Sequence, residues 1–217
     1  MMLKNLRPAA DYQRFATETL APWDDLFVAR IRQSVRTATP GLLADIGTGT
    51  GVALLRLASE PALAQWRFVG LDLDPSMLAE CQPRIARLGW GDRIELRLGD
   101  ALDLPFADGS VDRVVSRATL HHLADKPRAL AEMARVLRPG GIGVLHDMRR
   151  DAPAPLLAQF QDLRHAADYP PTHPEEKLTL DEAKAVVVAA GLERQATVFS
   201  PASGWGALGF EILILKN

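Results

Sequence analysis

The chain has 217 residues, a formal net charge of −2 and 47% hydrophobic residues, which suits one globular domain with a substantial core. Without a basic excess or a long apolar run, no nucleic-acid partner and no membrane span are expected. The single cysteine, Cys81, excludes an internal disulfide and a cysteine-rich zinc site, and without an N-terminal apolar stretch typical of a signal peptide a cytoplasmic location is expected.

The first segment of the chain has the apolar spacing of a helix. Over 10–38 the spacing includes Phe15, Leu20 and Leu26 and is interrupted by Pro22. This pattern predicts an N-terminal helical cap within 1–38. Pro40 and Gly41 then mark a turn before the first strand.

From 42 to 148, strand patterns and helix patterns alternate. Strands are predicted at 42–46, 67–72, 94–98, 111–116 and 142–146. Helices are predicted near 50–59, 75–88 and 127–137, and Pro139, Gly140 and Gly141 end the last of them. The alternation predicts a parallel sheet with helices on both faces.

The alternation breaks over 149–178, which contains five prolines and a short helical stretch near 155–166. Such a segment is typical of an active-site lid, and a plain surface excursion is the alternative. In 179–217, a helix near 179–190 begins with a capping-box pattern at Thr179 and ends at Gly191. Two final strands are predicted at 194–199 and 209–215.

The first strand runs into a turn that carries glycine at 47, 49 and 51, and a helix pattern follows at once. Glycine is needed where the backbone passes close to a ligand or takes a positive φ. A strand, a glycine turn and a helix start make a nucleotide-binding corner. The G-x-G-x-G spacing, with Asp45 two residues earlier, differs from the G-x-G-x-x-G of dinucleotide binders.

Acidic residues follow the next two strands, where ligands bind in a doubly wound sheet. Asp72 lies about twenty residues past the turn, the place of a carboxylate that accepts hydrogen bonds from ribose hydroxyls. Asp74 precedes Pro75 and is predicted to cap the next helix. Asp100 and the Ala101 N–H could together recognise adenine, and a turn-forming Asp100 is the alternative.

In this order and spacing, the motifs over 42–148 resemble the class I S-adenosylmethionine-dependent methyltransferases. The matching segments lie at 45–51, 70–78, 99–106, 110–123 and 132–141. The resemblance is greatest to the small-molecule branch that includes quinone and other metabolite methyltransferases. It implies an α/β fold with a Rossmann-like, doubly wound, seven-stranded sheet, mostly parallel with one antiparallel C-terminal strand. It also implies methyl transfer from S-adenosylmethionine to a small-molecule acceptor.

The resemblance assigns cofactor-binding roles residue by residue. The methionine portion would lie at Asp45 and the turn, the ribose at Asp72, the adenine at Asp100, and the reacting methyl near the end of the fourth strand. Arg117 stands where smaller or neutral residues are common, which points to an anionic acceptor or to altered contacts. The implied cofactor-binding residues are Asp45, Gly47, Thr48, Gly49, Gly51, Asp72, Leu73, Asp100, Ala101, Ser116 and Arg117.

The reaction expected is in-line displacement at the sulfonium methyl, to which the protein contributes mainly proximity and alignment. A general base is needed only if the acceptor must lose a proton. His122, after the fourth strand, is the first candidate, and a structural role for the His121–His122 pair is the alternative. His146, inside the fifth strand, is expected to be a hydrogen-bonded structural residue.

Arginines after the fifth strand are candidates for acceptor binding. Arg149 and Arg150, with Arg117, could bind a carboxylate or a phosphate, and ion pairing with Asp151 is the alternative. Tyr169, in the lid segment, could line the acceptor pocket. The arginines between Asp147 and Asp151 argue against a metal site.

Two other classes of function are alternatives to a methyltransferase. A nicotinamide-dependent oxidoreductase would need the other glycine spacing and an evident acid–base group. A catalytically silent module that binds the cofactor and acts through a partner stays open. The sequence leaves open which atom of the acceptor is methylated, and also the oligomeric state.

Overall fold

The computed structural model describes residues 21–35 and 39–217. The predicted helical positions Phe15 and Leu20 lie outside the described residues. Within them, the first helix, α1, spans Ala21–Ser34 and buries Phe27 and Ile31, as its apolar spacing predicts. Leu26, predicted for the same face, is instead 47% exposed.

The described residues form six α-helices and seven strands. The helices are α1 Ala21–Ser34, α2 Val52–Ala58, α3 Pro75–Arg87, α4 Lys126–Val136, α5 Ala154–Ala166 and α6 Leu180–Ala189. The strands are β1 Leu42–Ile46, β2 Arg67–Asp72, β3 Ile94–Leu98, β4 Val111–Arg117, β5 Leu137–Met148, β6 Ala196–Phe199 and β7 Gly209–Leu215.

The strands form one sheet in the order β3-β2-β1-β4-β5-β7-β6. Every pair from β3 to β5 is parallel, and β7 is antiparallel to both of its neighbours. The predicted fold class is therefore confirmed. The strand order reverses between β1 and β4, and in such sheets the ligand crevice lies at the carboxyl ends of these two strands.

Apolar side chains cover both faces of the sheet. Successive residues of β4 point to opposite sides, so Val114 joins one buried cluster and Val115 the other. The first cluster includes Leu130 of α4, and the second includes Leu54 of α2. Helices on both faces fix the carboxyl edge as the place where polar groups collect.

The fifth strand is longer than the 142–146 that the sequence predicts. Helix α4 ends at Val136, and β5 begins at once, because Leu137 pairs with Val111 across an irregular register. Gly140 N–H also donates to the carbonyl of Lys216 (2.8 Å). The helix therefore ends one residue before the predicted 137, and the Pro-Gly-Gly motif that was expected to end it lies inside the strand.

The segment 149–178 packs against α1. Phe160 of α5 lies in a buried cluster with Trp23 of α1 and with Met148 and Leu208. The next helix, α6, has the predicted capping box, since Thr179 Oγ1 accepts from the Glu182 N–H (3.1 Å). In the described part of the chain, none of the helices has the length and apolarity needed to cross a bilayer.

Candidate functional site

The glycine turn after β1 is held against the end of β2. The N–H groups of Gly47 and Thr48 both donate to the Leu71 carbonyl (2.8 and 2.9 Å). Gly47, Gly49 and Gly51 have φ of 71°, 54° and 77°, a region that favours glycine. A Cβ at Gly47 would lie 2.2 Å from the Thr119 side chain, so the turn has no room for a larger residue.

Asp45 is a buried acid directly beneath this turn. It is 1% exposed, and its Oδ2 accepts a hydrogen bond from Thr48 Oγ1 (2.8 Å). Burial, reinforced by Asp72 and opposed by the Thr48 hydrogen bond, raises the pKa of Asp45 to about 7. A carboxylate in this position gains stability from a bound cation, such as an ammonium group.

Asp72 ends β2 and holds the turn through its carboxylate. Its oxygens accept from the N–H groups of Gly49 (2.7 Å) and Asp74 (3.0 Å). Burial raises the pKa of Asp72, and these hydrogen bonds oppose the rise. Asp74 caps α3 by accepting from the Ser76 N–H (2.8 Å), as predicted.

The end of β3 presents Asp100 in a turn. Its Oδ1 accepts from the Leu102 N–H (2.9 Å), and its carbonyl accepts from the Asp103 N–H (3.1 Å). This is the turn-forming geometry, and the carboxylate nevertheless stays exposed, whereas Ala101 is buried. Leu73, which follows β2, is 63% exposed. Leu98, the last residue of the neighbouring strand β3, is 61% exposed.

The end of β4 is tied to the glycine turn. Ser116 Oγ donates to the Ile46 carbonyl (2.8 Å), and Thr119 Oγ1 lies 3.2 Å from the Gly47 carbonyl. Between them, Ala118 takes a left-handed φ of 54°. These contacts place the exit of β4 beside the turn, where the resemblance places the reacting methyl.

Arg117 leaves β4 into a buried ion pair with Asp24 of α1. The Arg117 side chain is 6% exposed and the Asp24 side chain 4% exposed. The guanidinium lies 4.7 Å from the ring of Trp23. Asp24 was not predicted as a site residue, because no local pattern in the sequence links a helix residue to the end of a distant strand.

His121 forms a pair with Asp147, which lies near the end of β5. The His121 backbone N–H donates to Asp147 Oδ2 (2.9 Å), and ring Nδ1 lies 2.7 Å from Oδ1. Burial raises the pKa of Asp147, but the charge and hydrogen bonds of His121 outweigh it and hold that pKa at about 2. The ionised Asp147 therefore keeps a proton on His121 Nδ1, and Nε2 can accept a proton only while the ring is neutral.

His122, the predicted base, lies beside this pair. Its ring centroid is 3.8 Å from that of His121, and the residue is exposed to solvent on its outer side. Burial of the inner side, with the charges of His121 and Lys177, lowers the pKa of His122. His122 is therefore neutral near pH 7.

The other predicted site residues lie in closed contacts or at the surface. Arg149 forms a two-point ion pair with Asp151 (2.8 and 3.0 Å), which was the alternative to anion binding. Arg150 pairs with Glu182. The half-buried ring of Tyr169 lies 4.8 Å from the guanidinium of Arg164.

His146 is a structural residue, as expected. It is buried and accepts a hydrogen bond from Trp23 Nε1 (2.9 Å). Burial lowers the pKa of His146 to about 3. Across the described ranges, no group of three or more His, Cys, Asp or Glu side chains is arranged to hold a metal ion.

Two surface cavities of about 400 and about 500 Å³ border α2, one against α3 and the other against α1. Neither contains a predicted site residue. At the carboxyl edge, the glycine turn bonds to Asp72, and Arg117 pairs with Asp24.

Comparison with known proteins identifies the class. Residues 44–145 match the family described as a methyltransferase domain. A SAM-dependent methyltransferase from Aquifex aeolicus has the same fold, with a TM-score of 0.72, 17% identity and coverage of 97% of this chain and 99% of that one. The matched domain and the shared fold confirm the resemblance to the class I S-adenosylmethionine-dependent methyltransferases. S-adenosylmethionine is the cofactor of this class.

Two curated relatives cover the same region. A demethylmenaquinone methyltransferase of Desulfitobacterium hafniense is 38% identical over 122 residues, 55% of this chain and 48% of the relative. A 27-O-demethylrifamycin SV methyltransferase of Amycolatopsis mediterranei is 30% identical over 155 residues, 71% of this chain and 54% of the relative. The chain thus spans about half the length of these curated relatives.

Proposed function

We propose that this protein transfers the methyl group of S-adenosylmethionine to a small-molecule acceptor. The observation that carries the proposal is the grouping, at one edge of the sheet, of a positive-φ glycine turn, the buried acid Asp45 and the strand-end acid Asp72. The cofactor supplies an activated methyl that an acceptor displaces in line. The residues of this chain bind, align and shield the reacting groups.

The residues at the edge fit the chemistry of the cofactor part by part. Asp45, buried and short of a cationic partner, suits the amino group of the methionine portion. Asp72 can accept from ribose hydroxyls, because each carboxylate oxygen keeps a second lone pair beside the N–H group that it binds. Exposed Leu73 offers an apolar surface for the adenine ring, and Asp100 offers an acceptor for its exocyclic amine.

His122 is our proposed general base if the acceptor must lose a proton. It is neutral near pH 7, is exposed, and lies near the end of β4. His121 is the second candidate, because Asp147 fixes its tautomer and would stabilise the charge that it gains. Burial and the cationic neighbours of His122 lower its pKa, so His122 would bind an abstracted proton only weakly.

The acceptor is proposed to bind between α1 and the lid segment 149–178. Support comes from the shared apolar cluster of Trp23, Phe160 and Leu208, which brings both segments to the carboxyl edge. The names of the two relatives support a small organic acceptor. A single functional domain, a cytoplasmic location and the lack of a nucleic-acid partner belong to the same proposal.

The first test is calorimetric titration with S-adenosylmethionine and with NAD. Wild type and the control Asp103→Ala, at an exposed neighbouring acid, should bind only the methyl donor. Asp72→Ala should lose about tenfold or more in affinity, because the ribose hydroxyls lose a charged acceptor. Binding of NAD alone, or of neither ligand, would refute the proposal.

A second test separates an enzyme from a silent binding module. Formation of S-adenosylhomocysteine is measured against a panel of quinols, phenols and amines. If an acceptor is found, His122→Ala and His121→Ala are compared on it across pH. The base should lose about 10²–10⁴-fold in kcat, and the other variant much less. Equal turnover of both variants and wild type would exclude a histidine base.

A further inference from the structure

The ion pair between Arg117 and Asp24 is incompletely satisfied. The Arg117 side chain is 6% exposed, yet among the described residues its Nη2 has no hydrogen-bond partner. One face of the guanidinium lies over the Trp23 ring, 4.7 Å away. A buried guanidinium with unfilled donors is costly, so the site favours a partner that offers more acceptor oxygens.

The buried position of Asp24 also disfavours its ionised carboxylate. Burial raises the pKa of Asp24, against the attraction of Arg117 and Arg56. Its Oδ2 is 3.6 Å from Arg56 Nη1, and Arg56 also pairs with the neighbouring Asp25. Two acids of α1 therefore share two arginines, one from β4 and one from α2.

The position of Arg117 is the decisive observation. It follows Ser116, which bonds to the carbonyl of Ile46 next to the glycine turn. It lies close enough to Asp45 to favour the ionised form of that acid. A buried acid and a buried guanidinium at one edge are complementary to an α-ammonium and an α-carboxylate.

We propose that Arg117 binds the carboxylate of the cofactor's methionine portion, and that Asp24 occupies this place in the ligand-free protein. This inference rests on the proposed function. The cofactor carboxylate displaces Asp24, which is left beside Asp25 with Arg56 as their shared cation. The start of α1 then detaches from the sheet edge. Because Trp23 belongs to the apolar cluster with Phe160, its release opens the acceptor side.

Asp24 is thus an internal competitor of the cofactor. Substitutions of Asp24 and of Arg117 should therefore change the affinity for the cofactor in opposite directions. Asp24→Asn removes the competing charge and should raise the affinity for S-adenosylhomocysteine about fivefold or more. Arg117→Gln removes the cation and should lower it about tenfold or more. Asp181→Asn is the control for the loss of one negative charge, since the Asp181 side chain is 89% exposed and pairs with Lys184. Its affinity should stay that of wild type.

The experiment compares two ligands by calorimetry on wild type and the three variants. S-adenosylhomocysteine carries the amino-acid carboxylate, whereas 5′-methylthioadenosine lacks the amino acid and keeps the nucleoside. The affinity for 5′-methylthioadenosine should be the same in all four proteins. Thermal unfolding by circular dichroism confirms that each variant is folded.

A second readout keeps the test independent of the Arg117 variant. Amide hydrogen exchange over Ala21–Ser34 in wild type should speed up with S-adenosylhomocysteine and not with 5′-methylthioadenosine. If both ligands bind but Asp24→Asn gains nothing and α1 exchange is unchanged or slower, the inference is wrong and the cofactor site stands. If neither ligand binds wild type, the proposed function fails and the inference fails with it.

Discussion

Replacing Asp45 with asparagine should stabilise the ligand-free protein at neutral pH. The Asp45 carboxyl is 1% exposed, and burial raises its pKa from 3.8 to about 7. Between these two pH values, the folded state binds more protons than the unfolded state, so stability falls as the pH rises. Asparagine keeps an oxygen that accepts from Thr48 Oγ1 and carries no charge.

The size of the effect follows from the pKa rise. At about 1.4 kcal/mol for each tenfold change, the ionised Asp45 costs the fold about 4 kcal/mol above pH 7. Asp45→Asn and wild type should therefore differ by a constant amount below pH 4. From there to pH 7 the variant should gain stability over wild type by up to about 4 kcal/mol.

The assay is urea denaturation followed by circular dichroism at a series of pH values from 4 to 8. The surface variant Asp181→Asn, at an acid whose side chain is 89% exposed, controls for the general loss of one negative charge. Asp45→Asn should in addition lose about tenfold or more in affinity for S-adenosylhomocysteine, because its amino group loses an anionic partner. A stability difference that does not change with pH would refute the reasoning.

Three further predictions concern other contacts. Asp147, with its pKa held at about 2, contributes about 2 kcal/mol to stability above pH 4, and this contribution is lost as the pH falls through 2. In acid unfolding, the stability of Asp147→Asn should not show this pH-dependent loss. Gly51→Ala should lower the free energy of unfolding by about 2–5 kcal/mol, because its Cβ would lie 2.2 Å from Cys81 Sγ and its φ is 77°. Adding Cys81→Ala should recover the steric part of this loss, and no recovery in urea denaturation would contradict this. Thr179→Ala should cost about 1 kcal/mol through loss of the Glu182 cap and lower the melting temperature, whereas Thr179→Ser should not.

Local signals predicted the sheet and its helices. Strands β1, β2 and β3 begin and end at the predicted residues. β1 and β2 are mostly apolar, β3 alternates apolar and charged residues, and turn residues or a strand-end acid bound each of them. Caps were predictable for the same reason, since Asp74 and Thr179 bond within their own first turn. The start of β5 was not, because it depends on pairing with Val111 and Lys216, far away in the chain.

The site was predictable only where it follows from strand ends. Asp45 and Asp72 lie at ends that the topology brings together. The partner of Arg117 comes from α1, and the partner of His121 comes from β5, and no spacing in the sequence reports either contact. One signal was available for His121, since β4 and β5 are adjacent and Asp147 lies near the end of the second.

The placement of β7 between β5 and β6 has a consequence for how the chain assembles. Among the described strands, β6 pairs only with β7, which is made later, so β6 has no neighbour until β7 has formed. β6 can therefore join the sheet only together with β7 or after it. Until β7 pairs with β5, the outer edge of β5 is open and Phe210, Ile212 and Ile214 lack their buried surroundings. An open apolar edge invites pairing with another chain, so the docking of β7 is a step at which aggregation would compete with folding.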